Sequence, residues 1–264
     1  MHRYFVAIAL AVICLMALAE EPLPKELSQD QEIAAIRSAE ATGLLIYIHD
    51  RAAAVATDAL RNLQPSKMDE RVRGWITEQV NGDIFVTFID QTPAALYRVF
   101  VSSDGVAGPV TALEPPSQLT AFEAGAAAAR KVAVTTKYQR CAEKYNSVVL
   151  PAADASASYW VVYLLPGTTK TGLVPIGGTH RLETKGAEVV SQRAFTRSCI
   201  ALQTVPDATA LMITHLLDPI PTEAHVFWSL WAKKPIYVST PPNGTVWVVE
   251  GNKIRLLERK AAKN

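Results

Sequence analysis

The chain has 264 residues, 49% of them apolar, and its 26 basic and 25 acidic residues leave a formal charge of +1. That size and composition suit a sizeable hydrophobic core and exclude a disordered or fibrous chain. The two signs of charge are mixed along the sequence, so nucleic acid is not an expected partner.

His2 and Arg3 give a positive start, and an uncharged apolar run follows from Tyr4 to Leu18. Ala17 and Ala19 place small residues where a signal peptidase needs them, ahead of the acidic, proline-containing stretch Glu20 to Pro24. The sequence therefore predicts a signal peptide, 1–19, cleaved after Ala19, and a mature chain, 20–264, that is periplasmic or secreted. The apolar run falls short of the roughly 20 residues that a membrane-crossing helix requires. Later apolar runs are broken within about ten residues by Gly, Pro or charge, so no transmembrane segment is expected after cleavage.

Ile33, Ile36 and Ala39 to Ala41 recur at helical spacing behind Ser28, which with Gln31 forms a capping-box pattern. Gly43 predicts a break, and Asp50 a new N-cap for a second helix running to Asn62, with Pro65 and Ser66 beyond it. One bent helix is the alternative. Strands are expected at Arg73 to Gln79, Ile84 to Ile89 and Leu96 to Val101, with Asn81-Gly82 as a hairpin turn. After Pro115-Pro116, Thr120 and Glu123 mark the start of an alanine-rich helix to about Tyr138, whose small side chains suit close packing on a sheet.

The second half reads as strands: Ser147 to Leu150, Tyr159 to Leu165, Gly178 to Thr184, Glu188 to Thr196, Ala210 to Leu217, Ala224 to Trp231, Ile236 to Thr240, Val246 to Val249 and Ile254 to Leu257. The expected class is α+β: antiparallel sheets, an N-terminal helical segment, and a central alanine-rich helix packed on a sheet. One mature domain is the simpler organisation, with two helix-plus-sheet units split near 115–120 as the alternative. Cys141 and Cys199, the two cysteines of the mature chain, predict one disulfide in an oxidising compartment.

Candidate sites follow from the same strands. If Asp218-Pro219-Ile220-Pro221-Thr222 joins 210–217 to 224–231 as a hairpin, alternation sets His215 opposite His225, close to Glu223. Imidazole and carboxylate are zinc ligands, with His180 as a further donor, so a metal-activated water is conceivable there. The competing interpretation is a set of hydrogen-bonded histidines with no cofactor. Lys185-Gly186 joins two strands that place Arg181 and Glu183 on one face with Arg193 and Arg197, and His180 on the other with Gln192. Clustered arginines can hold a carboxylate or phosphate, although a solvated hairpin face gives the same pattern. Trp228, Trp231, Trp247 and Tyr237 form either core or a ligand-stacking surface. Asn243-Gly244-Thr245 is a glycosylation acceptor pattern that also reads as a tight turn.

No HExxH helix, GxSxG elbow, dinucleotide fingerprint or phosphate loop occurs in the sequence. These observations predict an exported, noncatalytic protein that binds an envelope or extracellular protein or a small ligand. The alternative is a metal-dependent hydrolase centred on His215 and His225.

Overall fold

The structure is a computed structural model describing residues 26–63, 69–152, 158–205, 208–241 and 243–259. The expected signal peptide and the Pro65-Ser66 stop lie outside the described residues. Helix α1 (Gln29–Leu63) is one uninterrupted helix of 35 residues. Its start is reciprocally capped: Ser28 N–H donates to Gln31 Oε1 and Gln31 N–H to Ser28 Oγ. The expected break at Gly43 does not occur. A Cβ there would lie 2.5 Å from Val226 Cβ and 2.8 Å from the carbonyl oxygen of Glu223, so glycine is present because another helix crosses at this point. Asp50 is likewise not a cap, but a buried residue in the middle of α1.

Strands β1 (Gly74–Val80), β2 (Asp83–Ile89), β3 (Ala95–Val101) and β4 (Ala107–Ser117) form an antiparallel meander. Asn81 and Gly82 both have positive φ, as a tight hairpin turn requires. β4 was not expected, because Gly108-Pro109 and Pro115-Pro116 interrupt it. It forms at the sheet edge, where a missing N–H leaves no ladder partner unpaired. One face of the meander buries Val86, Phe88, Tyr97 and Val99 against Ala52, Ala56 and Leu60 of α1.

Helix α2 (Ala121–Thr135) covers part of the other face and carries the predicted capping box at Thr120 and Glu123. The same Glu123 carboxylate accepts hydrogen bonds from Thr87 and Arg98, tying the helix start to β2 and β3. Ala126, Ala129 and Ala133 let the α2 backbone sit close to Val149, Val162, Leu164 and Leu182. Those residues belong to a second antiparallel sheet.

That second sheet comprises β5 (Tyr145–Pro151) and β6 (Tyr159–Pro166), then, beyond the short β7 (Leu173–Val174), β8 (His180–Lys185) and β9 (Glu188–Ala194). β7 pairs with β10 (Leu202–Gln203) as a separate ribbon. The chain is stapled by the Cys141–Cys199 disulfide, as the cysteine pattern predicts.

The third sheet is β11 (Leu211–Thr214), β12 (Ile236–Thr240), β13 (Thr245–Glu250) and β14 (Lys253–Arg259). Here the expected strand 224–231 is overturned: residues Glu223–Ala232 are helix α3. The run Ala224-His225-Val226-Phe227-Trp228 is apolar almost throughout, so its periodicity does not separate a buried helix from a buried strand. Its β-branched and aromatic residues favour a strand locally, and tertiary packing wins. α3 is the crossover between β11 and β12, which pair in parallel, so a hairpin is topologically excluded. The Asn243 side chain holds the β12–β13 turn, donating to the carbonyl of Pro219 and accepting from Thr240 and Thr245.

The molecule is thus α+β, with α1 packed on the meander along its second half and crossed by α3 along its first. Among the described residues no helix is long and apolar enough to cross a membrane.

Candidate functional site

The sheet register puts Arg181 opposite Arg193, on the face that also carries Val148 and Tyr163. Arg193 donates both guanidinium nitrogens to Asp218, at 3.2 and 2.6 Å, and Asp218 Oδ2 also lies 2.8 Å from His215 Nε2. Burial opposes ionisation of Asp218, but the bonds from His215 and Arg193 outweigh it and hold the carboxyl below its ordinary value. Arg181 pairs instead with Glu183 at 2.5 Å. Arg197 is exposed in a bend past the end of β9, so strand alternation does not bring it to Arg193.

His215 and His225 do meet, with ring centroids 4.7 Å apart in an edge-on arrangement. They meet across the 218–222 turn and the first turn of α3, not across a hairpin. His225 occupies the third position of the helix, and its Nδ1 accepts from the Thr222 N–H, the role that Glu or Gln plays in a capping box. The neutral ring then carries its proton on Nε2, which is buried without a hydrogen-bond partner among the described residues. Burial, followed by the nearby His215, pushes the His225 pKa well below the usual imidazole value.

Glu223 accepts from the Tyr163 hydroxyl at 3.1 Å. His180 lies on the opposite face of its sheet, its Nε2 2.9 Å from the carbonyl oxygen of Gln139 and its ring against Tyr138. His180 is therefore not brought to His215 and His225. Among the described residues no group of three or more His, Cys, Asp or Glu side chains is arranged to hold a metal ion. The Arg193–Asp218–His215 chain instead ties β9 to the segment entering α3.

A groove of about 770 Å³ lies elsewhere, and none of its lining residues is a histidine. Its lining includes Phe227, Trp228 and Trp231 of α3, the Cys141–Cys199 disulfide and the loop after β6. Trp228 is fixed by donating its indole N–H to Thr179 Oγ1 at 2.9 Å, and it packs edge-on against Trp231, whose centroid is 5.4 Å away. Trp231 is 40% exposed, whereas Trp228 and Trp247 are core. Gly178 lets the chain pass the disulfide: it has φ +89°, and a Cβ there would fall 2.5 Å from Cys141 Cβ.

Asp50 also lines the groove. It is only 8% exposed, and Asn146 of β5 donates to its Oδ1 at 2.8 Å. Burial pushes its pKa up to about 6, against the opposing influence of the Asn146 hydrogen bond and the neighbouring Arg51 charge. The adjacent His49 faces β1, where its Nδ1 lies 2.8 Å from Thr77 Oγ1, and burial lowers its pKa to about 4.

Sequence inspection missed Asp50 as a site residue. The available signal was its place on the buried stripe of α1, one turn after Ile46 and beside His49, where an acidic residue is costly unless it has a role. The combination of a large concave groove, aromatic lining residues and a carboxyl with a perturbed pKa is the arrangement expected of a small-molecule site. Comparison with protein-family models, with curated protein sequences and with solved structures finds no match.

Proposed function

We propose that this is an exported protein, cleaved after Ala19, that binds a small ligand in the groove lined by α3, the Cys141–Cys199 disulfide and the loop after β6, without transforming it. The observation that carries this reading is the groove itself: about 770 Å³, with the exposed indole of Trp231 and the Asp50 carboxyl in its lining. Its volume falls in the range of sites for drug-sized molecules, and its chemistry is that of recognition, with aromatic surface for an apolar body and one carboxyl to orient it. The disulfide in the lining is compatible with an oxidising compartment and braces that part of the groove in advance of binding.

The test is native mass spectrometry of the protein purified without denaturation from the compartment in which it accumulates. The proposal expects a mature chain beginning at Glu20 and a bound molecule that is released on unfolding. The Trp231→Ala variant should carry much less of it. A wild-type protein with no adduct, or an adduct retained equally by the variant, would count against the groove as the binding site.

A further inference from the structure

We infer that the ligand of this groove is an organic cation, with its ammonium group paired to Asp50 and an apolar or aromatic body against the exposed indole of Trp231. This inference rests on the groove being a binding site, as proposed above. The Asp50 carboxylate is nine-tenths buried, and among the described residues its one hydrogen-bond donor is Asn146 Nδ2, at Oδ1. A buried carboxylate so thinly supplied with donors is under-solvated, and a cation brought to it supplies the missing charge and hydrogen bonds. The exposed Trp231 indole in the lining of the same groove favours the same ligand class, since an alkylammonium or arylalkylammonium ion is attracted by the ring quadrupole as well as by apolar contact.

The charged groups around Asp50 bound the ligand further. Arg51 follows it on α1, Glu143 and Lys144 precede β5, and Lys170 stands in the loop after β6, while α3 contributes only Phe227, Trp228 and Trp231 to the lining. His49, the other neighbour in sequence, is turned to Thr77. The one deeply buried charge in the lining is therefore negative, with Lys144 and Lys170 at exposed positions. A monocation with a compact apolar body fits this distribution better than a long polyamine, whose second charge would meet the lysines.

Burial pushes the Asp50 pKa up to about 6, and a cation binds its ionised form. Affinity should therefore rise about tenfold from pH 5 to pH 7 and level off above it. The experiment is a calorimetric titration of the mature protein with phenethylammonium, phenethyl alcohol and 3-phenylpropionate at pH 5, 6 and 7. These share one aromatic body and differ in charge. The expected result is binding of the ammonium at least tenfold tighter than the alcohol or the carboxylate, with the stated pH dependence. Asp50→Asn, shown by circular dichroism to be folded, should lose both the preference and the pH dependence. Trp231→Ala should weaken the ammonium while keeping its pH dependence. Equal affinity for all three probes, lost in Trp231→Ala, overturns the cation assignment and leaves the groove reading intact. Ammonium binding that is independent of pH, or that survives in Asp50→Asn, or no ammonium binding at all, also overturns the assignment, and the mass-spectrometric adduct then decides the groove reading separately.

Discussion

Replacing Asp218 with Ala should be among the most damaging single changes to this fold. Its carboxylate accepts two hydrogen bonds from Arg193 and one from His215, and it is 8% exposed. Each charge-assisted bond contributes roughly 1.5–3 kcal/mol, but Arg193 regains some hydration when released, so the contributions do not simply add. His215, only 2% exposed, regains almost none. Removal of one partner from a buried charged network typically costs about 3–5 kcal/mol, and the lower half of that range applies here because the Arg193 side chain is 21% exposed. The carboxyl is held below its ordinary value, so its stabilisation is complete above the unfolded-state pKa of about 4 and is lost as pH falls through the folded value. Urea denaturation followed by circular dichroism should show a deficit of about 3–4 kcal/mol at pH 7 that narrows below pH 4. A deficit under about 1 kcal/mol at pH 7, or one that stays constant down to pH 3, would refute this account of the network.

The other predictions concern the disulfide, the helix crossing and the buried His49 of α1. Cys141→Ser with Cys199→Ser should cost about 4 kcal/mol, since the bridge closes a separation of 58 residues, and hydrogen exchange should quicken in the loop after β6. Gly43→Ala would add about 1 kcal/mol of helix propensity in an isolated helix, but the clash with Val226 and the Glu223 carbonyl should leave the protein about 1–2 kcal/mol less stable in thermal unfolding. A neutral or stabilising result would mean that α1 and α3 are further apart. His49 stays neutral in the fold until about pH 4 but is protonated in the unfolded chain below about pH 6.5. Stability should therefore fall as pH drops through that window, and His49→Gln should remove up to about 3 kcal/mol of that loss, measured as the slope of unfolding free energy against pH.

Much of the architecture was legible where local signals and tertiary demand agree. The alternation in β2 and β3, the Asn81-Gly82 turn and the Thr120/Glu123 capping box each specify their element without help from distant residues. Disagreement arises where the third dimension overrides the local code. Gly43 reads as a stop because its partner, α3, is nearly two hundred positions away in sequence; β4 carries prolines that only an edge position tolerates. The segment 224–231 has strand propensity but serves as the crossover of a parallel pair.

The sites show the same division. His215 and His225 are adjacent, yet by way of a turn and a helix start that the hairpin assumption did not contain. Asp50 and Trp231 reach one groove from α1 and α3, elements whose crossing no short-range pattern encodes. Arg181 and Arg193 do share a face, but their carboxylate partners, Glu183 and Asp218, come from the chain itself.

The central claim, that a small organic cation occupies the groove beside α3, is tested most directly by the indole N–H signals of the protein's five tryptophans. Spectra of protein labelled with nitrogen-15 in tryptophan should be recorded with and without saturating phenethylammonium, with Trp→Phe variants for assignment. The account predicts that the signals of Trp231 and Trp228 move while those of Trp75, Trp160 and Trp247 stay in place. Shifts confined to Trp75, Trp160 or Trp247, or a spectrum unchanged at saturation, would contradict it.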